Sequence, residues 1–335
     1  MTPSSNHLHL RHPYGYERLH PYAQVIVDEA IRRDIQVQVI DPSWGELRLT
    51  HGGLSIGTRE SLSELTNALA LSRCQDKRVT RRVLAGAGLQ VPHGRCATDD
   101  NADLAFLTEV ATAVVKPARG AEGTGVTVGV TTPKDLTTAV SLARRHCPDV
   151  LIEQMCLGEE VRVLMINYKV VAAAVRRPAT VTGDDVHNIT ELVERESRRR
   201  AAATGGTSSI PMDDTTFEVI RESGHSMDDV LPKGQELAVR RTANLYTDLR
   251  SGGTIKDVTD ELHPQIAEAC IVASRALDMP VTGLDLIVQS PPGTDHVFIE
   301  ANERPGLGNY APQPAVERFI DLLFPGTVNS LHQTP

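Results

Sequence analysis

Apolar residues at Val25, Ile26, Ala30 and Ile31 recur at helical spacing and predict a helix over about residues 20–33. The run "IQVQVI" alternates apolar and polar positions and predicts a strand over about residues 35–40. "ELRLTHGGLSIG" reads as a hairpin turning at Gly52-Gly53. "SLSELTNALALS" and "DKRVTRRVLAGAG" carry helical patterns, the second ending at Gly86 or Gly88. The expectation is a small N-terminal α/β domain over residues 1–77.

"TAVVKPARGAEGTGVTVGV" is a strand, a glycine-rich loop and a strand, followed by a helix at "PKDLTTAVSLARRH" and a strand at "DVLIEQM". That order marks a second, α+β unit over residues 78–152. A third unit, 153–335, opens with the hairpin-like "VRVLMI-NYK-VVAAAVR" and closes with the helix "HPQIAEACIVASRAL" and the hairpin "GLDLIVQS-PPGT-DHVFIEAN". Between them, about residues 178–239 are polar and rich in Gly, Ser, Thr and Asp. They read as long loops with one helix, "ITELVERESRRRAAA", and a loop region of that length is more often functional than idle. The chain shows no internal repeat.

The last hairpin carries polar residues in an apolar setting. Symmetric pairing about Pro292-Gly293-Thr294 sets Asp285 roughly opposite Asn302 and Ile287 opposite Glu300, so Asp285, Glu300 and Asn302 share a face. Two carboxylates and an amide oxygen suit a hard divalent cation that also takes phosphate oxygens. A solvated hairpin face is the competing reading, and for the triplet alone the stronger one. The apolar flanks "GLDLIV" and "VFIEA", and the repulsion between close carboxylates, count for a cation. In "KPARGAEGTGV", Gly120, Gly123 and Gly125 let the backbone approach a ligand and aim N–H groups at anionic oxygens. The loop is neither a Walker A loop nor a Rossmann fingerprint, and a plain flexible turn explains it equally well. Lys116, in the apolar run "AVVKP", either snorkels or meets a phosphate.

Composition narrows the choice. With 335 residues, 40% apolar and 23% charged, the chain suits a soluble protein of two or three domains. Aromatics at 4% and a net charge of −9 argue against nucleic-acid binding, since the basic run "RESRRR" is flanked by acids. The five dispersed cysteines form no C-x-x-C, which predicts reduced thiols and a cytoplasmic setting. An N-terminus with no apolar core and the lack of any apolar run near 18 residues predict neither a secretion signal nor a membrane span.

Lys116-Pro117 with its glycine loop, "LIEQMCLGEEVRV" and "GLDLIV…IEANERPG" together resemble the ATP-grasp superfamily of carboxylate–amine ligases, over about residues 76–325. "GDDVHNITELVERE", "LAVRRTANL" and "SGGTIKDVTDELHP" resemble the ATP-grasp domains of cyanophycin synthetase and of the bifunctional glutamate–cysteine ligase/glutathione synthetase. The resemblance implies an α+β ATP-grasp fold, with two α+β subdomains sandwiching ATP behind an α/β pre-ATP-grasp domain. It assigns Lys77 and Lys116 to the nucleotide phosphates and adenine, and Gly120, Gly123 and Gly125 to a loop over the β- and γ-phosphates. Glu153, Gln154 and Met155 match the adenine hinge, Glu160 the ribose acid, and Asp285, Glu300 and Asn302 the magnesium ligands. Arg241 and Asn244 match positions near the transferred phosphate and the developing oxyanion. Arg304, beside Pro305-Gly306, is assigned from its position to a substrate carboxylate, whereas His187 and His263 read as structural or peripheral. Two departures stand out. "NLYTDLRSGGT" is about four residues longer than in relatives, so the Tyr246–Ser251 insertion is expected to border the acceptor pocket. Gly283 stands where some of these ligases carry an arginine, which leaves Arg241 as the candidate.

The implied chemistry is ATP-dependent phosphorylation of a carboxylate to an acylphosphate, then attack by an amine to give an amide, ADP and phosphate. The implied cofactors are ATP and Mg2+, as two ions, with Mn2+ as a substitute. The implied partners are an amino-acid or peptide carboxylate and an amine, in a homodimer with no nucleic acid or membrane. The alternatives are a small-molecule kinase on the same fold, which releases no free phosphate, and a non-catalytic nucleotide-binding module.

Overall fold

A computed structural model of the chain describes residues 12–120, 123–203, 209–240 and 254–327. Helix α1 (Pro21–Arg32) starts with Pro21 in its first turn and His20 as N-cap, and buries Ala23, Ile26, Val27 and Ala30. An antiparallel sheet follows in chain order: β1 (Gln36–Asp41), β2 (Glu46–His51), β3 (Leu54–Arg59) and β4 (Leu62–Ser63). Its β2–β3 turn falls at Gly52-Gly53, both at positive φ, as the sequence predicts. The helix expected over "SLSELTNALALS" is divided. Leu62 and Ser63 pair with Arg59 and Thr58, and α2 (Ala68–Gln75) begins only where the Asn67 side chain accepts the Ala70 N–H at 2.9 Å. Helix α3 (Lys77–Gly86) follows, capped by Asp76.

The second sheet contains β5 (Gly94–Cys96), β6 (Ala113–Pro117), β7 (Thr127–Val130) and β8 (Val150–Gln154), in the order β5-β8-β6-β7. With α4 (Asn101–Val110) and α5 (Pro133–Arg144) it encloses its own core around Phe106, Val115, Leu136 and Ile152.

Hairpin β9 (Glu159–Ile166) and β10 (Lys169–Arg177) enters a third sheet. Next come β11 (Thr180–Thr182), α6 (Ile189–Ala203), α7 (Asp214–Glu222) and β12 (Glu236–Ala238). Here the expectation of long loops with one helix fails. Two helices and a two-stranded β11-β12 sheet close over a core of Val181, Ile189, Leu192, Val193, Ile220 and Leu237. The few apolar residues sit at helical spacing, and the polar surroundings mask them.

The third sheet has the order β13-β10-β9-β14-β15 and is antiparallel throughout, with β13 (Thr254–Asp257), β14 (Val281–Val288) and β15 (His296–Asn302). Strand alternation gives it two faces. Val161, Val163, Met165, Leu284 and Leu286 pack against α2, α3 and α8 (Pro264–Leu277). Leu164, Ile166, Ala172, Ala174 and Val281 pack with α1, the first sheet and α9 (Ala315–Leu323). The N-terminal layer and the third sheet therefore share one core, with Phe319 fully buried in it. Phe319→Ala is expected to cost about 3–5 kcal/mol through the cavity it leaves. Urea unfolding, read from both the far-ultraviolet signal and tryptophan fluorescence, checks this; an effect on one signal alone contradicts the shared core.

Candidate active site

A cleft of about 470 Å³ lies between the second and third sheets. Its second-sheet wall is built by Val114, Lys116, Val128, Glu153 and the backbone around Gly120 and Gly123. Its third-sheet wall carries Glu160, Arg162, Arg176, Asp285, Glu300 and Asn302. The cleft thus gathers Lys77, Lys116, Gly120, Gly123, Glu153, Gln154, Met155, Glu160 and the Asp285/Glu300/Asn302 triplet.

The third-sheet wall continues the face whose far end is apolar. Register pairs Asp285 with Arg162 across β14–β9, and Glu160 with Arg176 across β9–β10. Arg162 grips both Asp285 oxygens, its Nε donating to Oδ1 at 2.5 Å and its Nη2 to Oδ2. Arg176 Nη2 reaches Asp285 Oδ1 at 3.1 Å and also pairs with Glu160. Burial pushes the Asp285 carboxyl upward, but the Arg162 and Arg176 charges outweigh it and hold it well below the usual carboxylate range. Arg176 itself is 4% exposed, and its Nε and Nη1 have no hydrogen-bond partner among the described residues. A buried guanidinium with spare donors in a cleft wall calls for an oxygen acceptor.

The triplet meets on one face, but in a different register from the symmetric one. Asp285 pairs with Glu300, and Gly283 with Asn302. Nearer the turn Leu286 pairs with Phe298, so Ile299 is an extra residue, and the bulge it makes shifts the pairing. Without the bulge, Ile299 and not Glu300 would share the Asp285 face. Asn302 Nδ2 donates to Asp285 Oδ2 at 3.0 Å, leaving the amide oxygen free of that bond. Among the described residues no three His, Cys, Asp or Glu side chains gather as a metal cluster. Glu300 and the Asn302 amide oxygen nonetheless fit a hard cation on this face, whereas each Asp285 oxygen already accepts two donors and would join only by releasing one. The protein's own cations neutralise these acids: Lys77 Nζ lies 2.9 Å from Glu300 Oε1.

Lys77 joins the two walls. Its backbone N–H donates to Ala118 O at 2.9 Å, and its Nζ donates to Gly120 O at 2.7 Å. On either side of it, Asp76, Arg78, Arg119 and Asp149 form a ring of ion pairs at 2.7–3.0 Å that ties the base of the glycine loop to α3. Hydrogen bonding from Arg78, against the opposing effect of burial, lowers the Asp76 carboxyl to about 2. Lys116 is buried and pairs with Glu153 at 2.5 Å. It meets a carboxylate here, so it does not snorkel.

Other assignments fare differently. The N–H groups of Gln154 and Met155 already donate to His93 O and Thr112 O, so they are committed to the protein and not to a ligand. Gly125 does not line the cleft; at φ +73° a Cβ there would lie 2.7 Å from the His146 ring, so the loop needs glycine for a close approach. Arg304 lies 3.5 Å from Glu60 on the first-sheet side, and Gly306 is packed against the Tyr22 ring; neither lines the cleft. His187 pairs with Asp184 and His263 caps α8, and neither lines the cleft. Arg241, Asn244 and the Tyr246–Ser251 insertion lie outside the described residues. Sequence reasoning missed Arg162 and Arg176. Their signal was present: each falls on the apolar-facing parity of a strand, in "EEVRVLMI" and "VVAAAVRR".

A family profile for an ATP-grasp domain matches residues 74–227. Over 92% of its length the chain is 30% identical to cyanophycin synthetase of Trichormus variabilis, covering 35% of that protein. Over 88% it is 31% identical to the glutathione biosynthesis bifunctional protein GshAB of Listeria innocua, covering 39% of it. The chain thus spans somewhat over a third of the length of these relatives. A solved bifunctional glutathione synthetase from Pasteurella multocida shares the fold at a TM-score of 0.67 and 24% identity, over 92% of this chain and 45% of that one.

Two outcomes follow from the ionic wall. Asp285→Ala leaves two buried guanidiniums without their carboxylate and is expected to destabilise the chain by about 3–5 kcal/mol, measured by urea unfolding. Asp76 has a folded pKa below its unfolded value of about 3.9, so its contribution is complete above about pH 4 and is lost as pH falls toward 2. The difference in melting temperature between wild type and Asp76→Asn is therefore expected to shrink steadily over that window; a constant difference contradicts the pairing.

Proposed function

We propose, on the premise that this chain is an ATP-grasp protein, that it is an ATP-dependent carboxylate–amine ligase joining amino acids or small peptides. The observation that carries the reading is the charge inventory of the cleft. Five acids (Glu153, Glu159, Glu160, Asp285, Glu300) face five bases (Lys77, Lys116, Arg162, Arg176, Arg177). A formally neutral cleft accepts a triphosphate only with added cations, and the Asp285/Glu300/Asn302 face is where hard cations fit. That supports Mg2+, which Glu300 and Asn302 would hold and which would offset the charge that moves in transfer; two ions, and Mn2+ as a substitute, are part of the proposal. The likeness to a cyanophycin synthetase and to a bifunctional protein of glutathione biosynthesis supports amide formation as the outcome.

In this reading Lys77, Lys116 and the backbone at Gly120 and at Gly123 hold the triphosphate against the second sheet. Glu160 holds the ribose, and Glu153 with Gln154 and Met155 borders the adenine. Arg162 and the spare donors of Arg176 orient the substrate carboxylate and stabilise charge on the acylphosphate. This fills the place left by Gly283, with Arg241 and Asn244 as further proposed contributors. A cleft closed over its substrates would shield the acylphosphate from water until the amine attacks. Residues 1–77 would serve as the pre-ATP-grasp domain, 78–152 as the central nucleotide-binding part and 153–335 as the part bearing the metal face. The proposed homodimer stands on the family likeness; the proposed cytoplasmic setting is supported by free cysteines at all five positions. No helix among the described residues is long and apolar enough to cross a membrane.

The test is a phosphate-release screen over pairs of amino acids and dipeptides, with mass spectrometry of the products. The expected result is ADP, phosphate and a condensed product, with turnover lowered at least about 100-fold in Arg162→Ala, on the scale of losing one oxyanion donor. ADP with a phosphorylated substrate and no free phosphate would instead identify a kinase.

A further inference from the structure

The two carboxylates of the triplet are held differently. Each Asp285 oxygen is occupied by two donors, drawn from Arg162, Arg176 and Asn302. Glu300 instead pairs with Lys77, whose Nζ lies 2.9 Å from its Oε1. Glu300 is therefore the carboxylate that an incoming divalent ion would meet first, and Lys77 already stands on it. The other cations of the cleft are engaged elsewhere: Lys116 on Glu153 at 2.5 Å, Arg162 and Arg176 on Asp285, and Arg177 on Glu159 at 2.7 Å.

A lysine–glutamate pair in open solvent contributes little. Three features set this one apart. The Lys77 side chain is 11% exposed, so its ammonium is largely desolvated. Its Cα is fixed, because its N–H donates to Ala118 O at 2.9 Å and it opens α3 directly after the Asp76 cap. Its Nζ also donates to Gly120 O at 2.7 Å, in the loop that faces the cleft from the second sheet. The ammonium thus lies between the acidic face and the glycine loop, on a flexible four-carbon stem that lets it turn from one to the other while the backbone stays. An ammonium and a divalent ion on one carboxylate repel each other at close range. An anion bound at the loop would draw Lys77 off Glu300 and open that carboxylate to the metal.

We propose that Lys77 is a resident counter-ion for Glu300, which keeps this face closed to a free divalent ion and yields it only when an anion takes the ammonium. This is a second role for Lys77, besides the phosphate contact proposed above. It rests on the metal face of the ligase reading, and its test reads metal binding instead of turnover.

The probe is Mn2+ alone, without nucleotide, titrated onto the full chain and followed by loss of the free ion's electron paramagnetic resonance signal. Wild type is expected to bind it weakly. Lys77→Met is expected to bind it about tenfold more tightly, the scale of one charge-assisted hydrogen bond. Lys77→Gln, which keeps a donor for Gly120 O but carries no charge, is expected to gain as much. Lys77→Arg keeps the charge and is expected to stay as weak as wild type. In Lys77→Met/Glu300→Gln the gain is expected to vanish, because no carboxylate is freed. Melting curves check that each variant is folded. No gain in Lys77→Met and Lys77→Gln, or a gain that survives Glu300→Gln, overturns the counter-ion. The expected pattern of gains with no phosphate release from any substrate pair counts against the ligase reading and leaves the counter-ion standing.

Discussion

The third sheet is organised around a buried carboxylate held by two guanidiniums. Asp285, Arg162 and Arg176 come from three adjacent strands, each on the face that elsewhere carries Leu164, Ala174 and Val281. Putting charges there is costly unless they are paired and hydrogen-bonded. The antiparallel register meets that condition by setting Asp285 directly across from Arg162, and Glu160 across from Arg176. A slip of one residue would turn the whole set to the apolar face packed by α2, α3 and α8. Fold and site thus impose the same register, and the apolar half of the face fixes the position of the ionic half.

The bulge at Ile299 serves the same end. A regular β14–β15 ladder would place Ile299 and Ala301 beside Asp285 and turn Glu300 and Asn302 away. One extra residue reverses that parity for the last part of β15 while Phe298 stays in the core packed by α3 and α8. The strand therefore contributes an apolar side chain to one layer and two oxygen donors to the cleft within five residues.

Much of this was legible in the sequence, and what was not has identifiable causes. The β1 and α1 patterns, the Gly52-Gly53 turn and the Asp285/Glu300/Asn302 face follow from periodicity, because each signal lies within one element or one hairpin. The register within that hairpin did not, since a bulge has no marker in "DHVFIEAN" and is imposed by packing on both sides. Helices α6 and α7 were hidden because a small module needs few apolar residues to make a core. Arg162 and Arg176 were passed over because each looks like an ordinary break in an apolar strand. Their meaning appears only when the neighbouring strand brings Asp285 and Glu160 across from them, and pairing between β9 and β14 is a long-range fact that no local pattern contains.

The pairings in the cleft also determine how a ligand enters it. Each acid lining the cleft has a basic partner: Glu153 has Lys116, Glu159 has Arg177, Glu300 has Lys77, Glu160 has Arg176 and Asp285 has both Arg162 and Arg176. An anion that takes Lys77 leaves Glu300 short of a cation. A divalent ion that settles on Glu300 and Asn302 frees Lys77 for the anion. The two exchanges compensate each other, and either one alone leaves a net charge in a confined space. Lys77 also donates to Gly120 O, so the residue at the centre of this exchange touches the glycine loop as well as the third-sheet wall. In the proposed reading, polyphosphate and metal would be coupled through the partners they displace.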